Sequence, residues 1–550
     1  MARIKRMTSD PSWGLAIGGG LAGALAFEPV ALNPLAPLAP LLAYLAIRQA
    51  PRPAAALGRA WVFGWIFSFG TLHWLCTLYR FHTLAPLGIV LLGVYLGAWY
   101  GLSGYVLRRL LWSRKEWLNF VCFGALWLLA EWARTQGRLA VPLVQLGHAW
   151  STWPWAIQSA EWLGELGVSL EVLLTAALLL AAINGAHGAR SGRRPRHRQL
   201  LAPALATVAL ASLCLIPNYI QTRRAGRLAN TKRSLHVALV QPNIVQMTKL
   251  ASYAHPDETV RQDLQDQITR LTEQMVTGLG EKESFDHRLI VLPETAFTAW
   301  NFYRNRPLRA RVAEIARRAR SDLFFGANRD MSTTDESRVY NSAYLIKADG
   351  RFGRAIYDKT QLVPFGESLP YFDLIPGLQK NIVGIGLFAE GERQVLFQSG
   401  PFEFGGLICF ESTFGRLARS LARQGADMLV VITNDAWYGH SAGPRQHHHL
   451  SLLRAVETRR WVLRAANTGI SSIIDPRGRV VASLPLGERG TIQRTIEIPG
   501  RPAGPDAWTA LPRSTFYVDH GNHWLWIIAA FLLARVFWRF RNFRRSEQSD

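Results

Sequence analysis

Cysteine is scarce in this sequence, with four residues among 550. Cys76, Cys122 and Cys214 fall within long apolar stretches, and Cys409 alone lies in the more polar segment that follows them. A disulfide framework is not expected in that segment because its one thiol has no partner, and a lone cysteine is a poor zinc site. Cys409 is therefore either a small buried hydrophobic residue or a nucleophile.

Acidic residues are also few, with 39 Asp and Glu against 62 Lys and Arg and a net charge of +23. Such an excess fits nucleic acid, anionic lipid or the cytoplasmic loops of a membrane protein. The basic residues form short runs at the ends of apolar stretches, without the interleaved aromatic residues that stack on bases. This distribution excludes nucleic acid as the expected partner and favours a membrane protein.

The apolar stretches are long enough to cross a bilayer, which takes about 20 residues each. The segment after the first stretch, AFEPVALNP, has no convincing cleavage site, so a cleaved signal peptide is not expected. Eight membrane spans are predicted, near 11–28, 30–47, 60–79, 84–107, 117–133, 164–184, 200–217 and 521–538. The first two are rich in Gly, Ala and Pro, so re-entrant segments are the alternative there.

Charge in the short loops predicts the orientation of these spans. The loop between the fourth and fifth spans holds Arg108, Arg109, Arg114 and Lys115, whereas the loop at 28–34 holds no basic residue, and this alternation continues along the chain. The positive-inside rule then places both termini in the cytoplasm. Three parts are predicted: a membrane domain at 1–217 with seven spans, an extracytoplasmic domain at 218–510 with a core of about 235–500, and a final span with a basic cytoplasmic tail at 511–550.

The extracytoplasmic segment has the pattern of a mixed α/β domain. Apolar residues at spacings of three and four between Val260 and Leu279 predict an amphipathic helix. Continuous apolar strands alternating with helices indicate a sheet covered on at least one face. The predicted strands are HVALVQPN (236–243), RLIVLPET (288–295), DLFFGAN (322–328), NSAYLIK (341–347), FGGLICF (404–410), DMLVVITND (427–435) and the pair around a turn in SSIIDPRGRVVAS (471–483).

Cys409 ends one of these strands, and a helix is predicted to begin directly after it at 412–423. A helix N-terminus favours the thiolate, although Glu411 opposes that effect. A thiol nucleophile also needs a base and a group that holds developing negative charge. Glu294 follows another strand, and Lys359 and Glu367 flank a Pro-Gly loop. Each also suits a plain structural role, as a helix cap, a surface charge or half of an ion pair.

Taken together, these residues resemble the Glu–Lys–Cys motifs of the nitrilase superfamily. The motifs are LPE at 292–294, DKTQLVPFGE at 358–367 and ICFE at 408–411, and TNDAWYG at 433–439 adds to them. Inserted between a seventh and an eighth span, such a domain resembles the apolipoprotein N-acyltransferase family. The similarity covers nearly the whole chain and includes QPNI (241–244), LLAEWAR (128–134), RQHHHLSLLRAVETRR (445–460) and NTGIS (467–471).

The resemblance implies a fold and roles for particular residues. The fold is a polytopic α-helical membrane domain plus an αββα sandwich. Glu294 would be the general base, Lys359 the lysine that stabilises the oxyanion, and Cys409 the acyl-accepting nucleophile. The supporting residues would be Glu367, Glu411 and Phe410, where the family usually has tyrosine, and the substrate contacts would include Trp437 and Leu250, where the family usually has a lid tryptophan.

The activity implied is a ping-pong transfer of a fatty acyl chain from a membrane phospholipid, through a thioester, to the N-terminal amine of diacylglyceryl-cysteine in apolipoproteins. The enzyme would lie in a bacterial inner membrane with its catalytic domain in the periplasm, and would need no cofactor. A membrane-tethered amidase acting on a small amide is one alternative, and a transporter or scaffold with an inactive domain is another.

Two further groups of residues are candidates for ligand binding. Three consecutive histidines at 447–449 point in different directions on a helix, so no metal site is expected. His447 is expected to pack near the site and the other two to be solvated. Arg134 and Glu131, at the outer end of the fifth span, are either a headgroup site for the phospholipid or plain interfacial anchors.

Overall fold

The computed structural model describes residues 10–81, 83, 85–190, 204, 207–212, 216, 232–279, 287–333, 337–371, 388–499 and 514–547. The chain divides into two compact units, one of Met1–Tyr219 with His520–Asp550 and the other of Ile220–Asp519. Cys214 and most of the predicted span at 200–217 lie outside the described residues.

The first unit is helical. Short 3₁₀ turns and one π-turn at Leu107–Leu111 join its helices. The helices are α1 (Pro11–Leu25), α2 (Leu38–Arg48), α3 (Pro53–Leu72), α4 (Ala85–Val106), α5 (Glu116–Ala133), α6 (Ala160–Leu163), α7 (Glu165–Arg190) and, after the second unit, α14 (Leu525–Glu547).

Three helical segments of the described chain are long and apolar enough to cross a membrane: Pro53–Arg80, Ala85–Leu111 and Glu165–His187. The eight-span topology is therefore confirmed only in part. Helices α1 and α2 have 15 and 11 residues, and a proline-rich turn separates them, which makes each shorter than a span. Helix α14 is long enough but carries several arginines toward its end.

Small residues let α3 and α4 pack closely. A Cβ added at Gly97 would lie 2.9 Å from both the carbonyl oxygen of Trp61 and the amide nitrogen of Trp65. At Gly104 it would lie 2.9 Å from the carbonyl oxygen of Ala56. Backbones this close are typical of helix pairs in membranes, where van der Waals packing replaces the hydrophobic effect. The packing supports a bundle of membrane helices in this unit.

The second unit contains two six-stranded sheets. The first has the order β12-β1-β2-β3-β4-β5 and the second the order β11-β10-β9-β8-β7-β6. The strands are β1 (Lys232–Gln241), β2 (Arg288–Val291), β3 (Asp322–Asp330), β4 (Val339–Ile346), β5 (Phe352–Asp358), β6 (Leu396–Ser399), β7 (Phe402–Ile408), β8 (Met428–Thr433), β9 (Trp461–Ala466), β10 (Ser471–Ile474), β11 (Val480–Leu484) and β12 (Gly490–Pro499).

The two sheets face each other across a common core. Val237 and Phe324 of the first sheet pack in one cluster with Phe404 and Val430 of the second. The outer face of the first sheet packs against α9 and α10, while α11 and α12 contact the second. The helices are α8 (Gln246–Ala254), α9 (Glu258–Thr277), α10 (Arg306–Arg318), α11 (Gly415–Arg423), α12 (Gly443–Thr458) and α13 (Phe516–His520). These layers confirm the predicted αββα sandwich.

Strand direction brings the predicted site residues to one edge of the sandwich. Strands β1, β2 and β3 are parallel, as are β7, β8 and β9. Strand β5 runs in the same direction as β3, because β4 is antiparallel to both. Glu294, Lys359 and Cys409 each follow the carboxyl end of such a strand. Ligands of α/β folds bind at these ends.

Candidate active site

Cys409 lies on a strained turn at the end of β7. Its φ angle is +53°, a conformation that residues other than glycine rarely adopt. A 3₁₀ turn at Cys409–Thr413 follows, and α11 begins only at Gly415. The helix predicted at 412–423 is therefore confirmed, but it begins three residues later than expected, after the 3₁₀ turn. The strained backbone of Cys409 and the 3₁₀ turn that follows therefore set the direction of the cysteine side chain.

Glu411 holds this turn in place. Its buried carboxylate accepts hydrogen bonds from the Ile408 amide at 2.8 Å and the Tyr357 hydroxyl at 2.6 Å. It also accepts from the Thr360 amide at 2.8 Å, next to Lys359 in the chain. Glu411 thus joins the cysteine turn to the loop that carries the lysine, and its carboxylate is occupied by these donors. Phe410 is partly exposed and packs edge-on against the ring of Phe414.

Lys359 is fully buried between two carboxylates. Its Nζ lies 2.8 Å from Oε1 of Glu367 and 3.9 Å from Oε1 of Glu294. Burial lowers the pKa of Lys359, but the charges of Glu367 and Glu294 outweigh burial and raise it above the ordinary value. The lysine is therefore a fixed positive charge at neutral pH.

Glu294 is held by donors on both of its oxygens. Asn341 Nδ2 donates to Oε1 at 2.6 Å, and the backbone amide of Asn434 donates to Oε2 at 2.8 Å. The backbone of this loop lies against β3, where a Cβ added at Gly326 would be 2.9 Å from the Glu294 Cα. These contacts fix the direction of the carboxylate.

Burial and the charges of Glu294 and Lys359 all affect the pKa of the Cys409 thiol. Burial raises its pKa above the ordinary value, the charge of Glu294 raises it further, and Lys359 lowers it. Burial and the nearby carboxylate together outweigh the effect of the lysine. The resting thiol is protonated, so a base has to remove its proton.

A second buried network lies behind the cysteine. His447 Nδ1 is 2.8 Å from Oδ1 of Asp435, and Arg464 donates to Oδ2 at 2.9 Å. Burial raises the pKa of Asp435, yet the charges of His447 and Arg464 outweigh it and lower the pKa to about 2. His447 Nε2 lies 3.1 Å from the carbonyl oxygen of Cys409 and 2.9 Å from the hydroxyl of Ser412. The network therefore holds the backbone of Cys409 in place.

Ligand atoms of Cys409, Asp435 and His447 lie within 4.8 Å of one another, which is the spacing of a candidate metal site among the described residues. The guanidinium of Arg464 is 2.9 Å from Asp435 and 3.1 Å from His447, so its positive charge opposes a cation there. His447 lies near the site as expected. The expectation that its neighbours are solvated is wrong for His448, which is buried and 2.9 Å from Ser472 Oγ.

The predicted substrate contacts lie in both units. In the second unit, Leu250 and Trp437 are partly exposed, on α8 and on the 3₁₀ turn Asp435–Tyr438. In the first unit, Arg134 and Glu131 are almost fully buried and 3.9 Å apart. Glu131 accepts from Trp127, Leu146 and Ser169, and Arg134 donates to the Val144 carbonyl. Their burial argues against plain interfacial anchors, and the headgroup site stays a prediction.

Sequence reasoning missed three residues that support Glu294 or its loop: Asn341, Asn434 and Lys249. Asn434 belongs to the TNDAWYG segment, whose pattern assigns this residue no role. Asn341 is the third residue of the antiparallel strand β4, so the rule that site residues follow strand ends does not point to it. Nothing in the sequence around Lys249 marks it as buried.

The profile of the carbon–nitrogen hydrolase family matches residues 236–500, the two-sheet unit with its Glu–Lys–Cys cluster. The second unit is thus a carbon–nitrogen hydrolase domain. A second profile, of the N-terminal domain of apolipoprotein N-acyltransferases, matches residues 19–178 of the helical unit.

Relatives of the whole chain extend this match. This chain is 31% identical over 496 residues to apolipoprotein N-acyltransferase of Geobacter metallireducens, and the match covers 88% of this chain and 89% of the relative. The enzymes of Sinorhizobium medicae and Rhizobium leguminosarum bv. trifolii are 34% and 32% identical and cover 83% and 92% of this chain, and 82% and 92% of their own length. The chain belongs to the apolipoprotein N-acyltransferase family.

Solved structures are similar to the second unit alone. An amidase from Nesterenkonia sp. is 19% identical with a TM-score of 0.35, covering 48% of this chain and 90% of its own. Nit3 of Saccharomyces cerevisiae, a nitrilase superfamily member, is 19% identical with a TM-score of 0.36, covering 49% of this chain and 91% of its own. The fold assignment rests on the family profile and the sheet topology.

Proposed function

We propose that this protein transfers a fatty acyl chain from a membrane phospholipid, through a thioester on Cys409, to the N-terminal amine of diacylglyceryl-cysteine in apolipoproteins. The observation that carries the proposal is the buried cluster of Glu294, Lys359 and Cys409 in a chain whose relatives bear the name apolipoprotein N-acyltransferase. Two half-reactions at one thiol make the mechanism ping-pong.

In the first half-reaction Glu294 accepts the thiol proton as the sulfur attacks the carbonyl carbon of the phospholipid sn-1 ester. A C–S bond forms and a negative oxygen develops, which the ammonium of Lys359 stabilises. The tetrahedral intermediate then breaks its C–O bond, and protonated Glu294 gives its proton to the departing alkoxide. The products are the lysophospholipid and the acyl-enzyme. Glu367, 2.8 Å from the Lys359 ammonium, keeps that charge in position.

In the second half-reaction the free amine of the diacylated apolipoprotein attacks the thioester carbon. Glu294 accepts a proton from the amine as the C–N bond forms, the C–S bond breaks, and the proton returns to the sulfur. The triacylated product leaves and the resting thiol is restored. A thioester is a reactive donor toward amines, and a site that excludes water protects it from hydrolysis.

The arrangement in the membrane is also part of the proposal. Both substrates are lipids, and a catalytic domain in the same chain as membrane helices is anchored to the membrane that holds them. The alternating basic loops support cytoplasmic termini and a periplasmic catalytic domain in a bacterial inner membrane. The three apolar helical segments of the described chain support a multi-pass protein.

The experiment is intact-mass analysis of the purified full-length protein after exposure to phospholipid. We expect an increase by one acyl group, located on Cys409 by peptide mapping and removed by hydroxylamine. Adding a diacylated lipopeptide with a free N-terminal amine should discharge the adduct and yield N-acyl peptide. If lysophospholipid and adduct never form while simple amides release ammonia, the protein is instead a membrane-tethered amidase.

A further inference from the structure

Helix α8 presents two chemically different faces. Val245, just before the helix, and Met247 are 64% and 61% exposed. Gln246, Lys249 and Ser252 recur every three residues and are all buried. The buried face is thus polar and the exposed residues are apolar, the reverse of an ordinary surface helix. A reversed helix needs an explanation in terms of what its polar face contacts.

The ammonium of Lys249 contacts two consecutive residues, Glu294 and Thr295. Its Nζ is 3.2 Å from the Glu294 carbonyl oxygen, 2.9 Å from the Thr295 carbonyl oxygen and 3.1 Å from Thr295 Oγ1. The three N–H donors of the ammonium therefore match three oxygens. Thr295 has a φ of +47°, so the loop that aims Glu294 is strained and needs external support.

A second connection leads from the same face of α8 to the carboxylate itself. Gln246 Oε1 accepts a hydrogen bond from Asn434 Nδ2 at 2.8 Å. The backbone amide of Asn434 donates to Oε2 of Glu294 at 2.8 Å. One helix therefore fixes the backbone of Glu294 through Lys249 and its carboxylate through Gln246 and Asn434.

A buried lysine is a costly way to fill space, and an apolar side chain of equal length would fill it without desolvating a charge. Burial lowers the pKa of Lys249 to about 7, although the nearby Glu294 carboxylate opposes that shift. The cost of desolvating the Lys249 charge, and the three oxygens that accept from its ammonium, together indicate that this lysine does more than fill space.

We propose that Lys249 is a positioning residue that holds the Glu294–Thr295 turn, so that the base is aimed at Cys409 only while α8 is seated against it. The proposal rests on the proposed function in one respect, that Glu294 is the base. The proposal has a consequence for substrate binding. An acyl chain or lipopeptide that contacts the apolar residues of α8 acts on the same helix that aligns the proton acceptor Glu294.

The test compares Lys249→Met with Lys347→Met in the full-length protein. Lys347 also pairs with an acid, Asp322, at 3.2 Å. It directly follows β4 and is six residues from Asn341, or about 20 Å at the rise of a strand. The readout is alkylation of Cys409 by iodoacetamide from pH 6 to 9, followed by mass spectrometry, which requires no lipid substrate. Acylation by phospholipid is measured in parallel.

We expect Lys249→Met to slow both reactions by about 10- to 100-fold, the effect of displacing a reacting group by about 1 Å. Its alkylation pH profile should move toward that of Glu294→Gln, while KM for phospholipid changes little. Lys347→Met should match wild type. If Lys249→Met slows neither reaction, or only lowers the melting temperature with an unchanged pH profile, Lys249 is a packing residue and the proposal fails.

Thr295→Val tests the same contact if Lys249→Met does not fold. It removes one acceptor and keeps the branched shape, and we expect a loss of about threefold to tenfold with the same shift of pH profile. An unchanged rate and profile contradict the proposal.

Glu294→Gln separates the base assignment of Glu294 from the positioning role of Lys249. If this substitution does not slow alkylation, the base assignment and the positioning role fail together. If it does while Lys249→Met does not, only the positioning role fails.

Discussion

The two sheets of the catalytic unit contribute different things to one site. The first sheet carries Glu294 and Lys359, the proposed base and oxyanion-stabilising lysine, and holds them through polar side chains such as Asn341 and Glu367. The second sheet carries Cys409, the proposed nucleophile, held by a strained backbone and a buried ion network. The proposed activity therefore depends on the register between two sheets that share a hydrophobic core.

The largest expected effect comes from removing the nucleophile of the second sheet. Cys409→Ser keeps the shape of the turn but replaces the thiol by a poorer nucleophile, and we expect no detectable acyl-enzyme. Intact mass after incubation with phospholipid measures this. Cys122→Ser, a buried cysteine in the helical unit, is the matched control and should acylate at the wild-type rate. An acyl adduct on Cys409→Ser would locate the acceptor elsewhere.

Glu294→Gln tests the proton-handling side of the first sheet. The amide keeps the size of the carboxylate but cannot accept the thiol proton, and because the resting thiol is protonated we expect a loss of about 10²- to 10⁴-fold in acylation rate. Single-turnover acylation at several pH values measures it. The rate of the variant should rise steeply with pH, as hydroxide removes the proton instead. A pH-independent residual rate would contradict the role of Glu294 as base.

Lys359→Met removes the fixed positive charge beside the reacting oxygen. Losing one such electrostatic contact costs about 10²- to 10³-fold. We expect the loss in kcat, with KM for phospholipid nearly unchanged, because the charge acts on the transition state. Lys347→Met is again the control. A loss confined to KM would make Lys359 a binding residue.

Glu367→Gln should have a smaller effect, since it alters the support and not the reacting group. It weakens a charge-assisted contact to Lys359 at 2.8 Å, which is worth about 1.5–3 kcal/mol, so we expect a loss of roughly tenfold. The pKa of Lys359 should fall as one of the two neighbouring carboxylates loses its charge. The acylation rate at pH 7 and 10 measures both. A loss as large as that of Lys359→Met would indicate a direct role for Glu367.

The sequence marked Glu294, Lys359 and Cys409 as site residues because all three follow strand ends within recognisable motifs. The structure brings Glu294 and Lys359 within 3.9 Å of each other, and the catalytic roles of the three residues stay predictions. Apolar patterning also predicted the helix over 260–279 and eight of the twelve strands, with bounds that differ by a few residues. It missed β9 among others, since Arg464 interrupts the apolar pattern of that strand. The ion pair with Asp435, distant in sequence, explains why a buried arginine is tolerated there.

Supporting contacts were harder to predict from sequence than the reacting groups. Lys249 and Glu294 are 45 residues apart, and only the packing of α8 brings them together. The start of α11 was misplaced because Glu411 turns its carboxylate back to the Ile408 amide and closes a 3₁₀ turn first. Such contacts depend on tertiary geometry, which local propensity does not encode.

The smallest expected effect on the reaction is that of Asp435→Asn, which instead affects stability at low pH. The pKa of Asp435 is lowered from 3.8 to about 2, so its carboxylate stabilises the folded protein above pH 4, and that contribution is lost as pH falls through about 2. The shift corresponds to about 2 kcal/mol. The melting temperature of wild type should therefore exceed that of Asp435→Asn at pH 6, with a difference that shrinks by pH 3. Acylation at pH 7 should fall less than tenfold, because the network holds the cysteine turn without contacting the reacting carbonyl. A difference in melting temperature that stays constant over this pH range would show that the carboxylate charge contributes nothing and that the second sheet holds its nucleophile by backbone geometry alone.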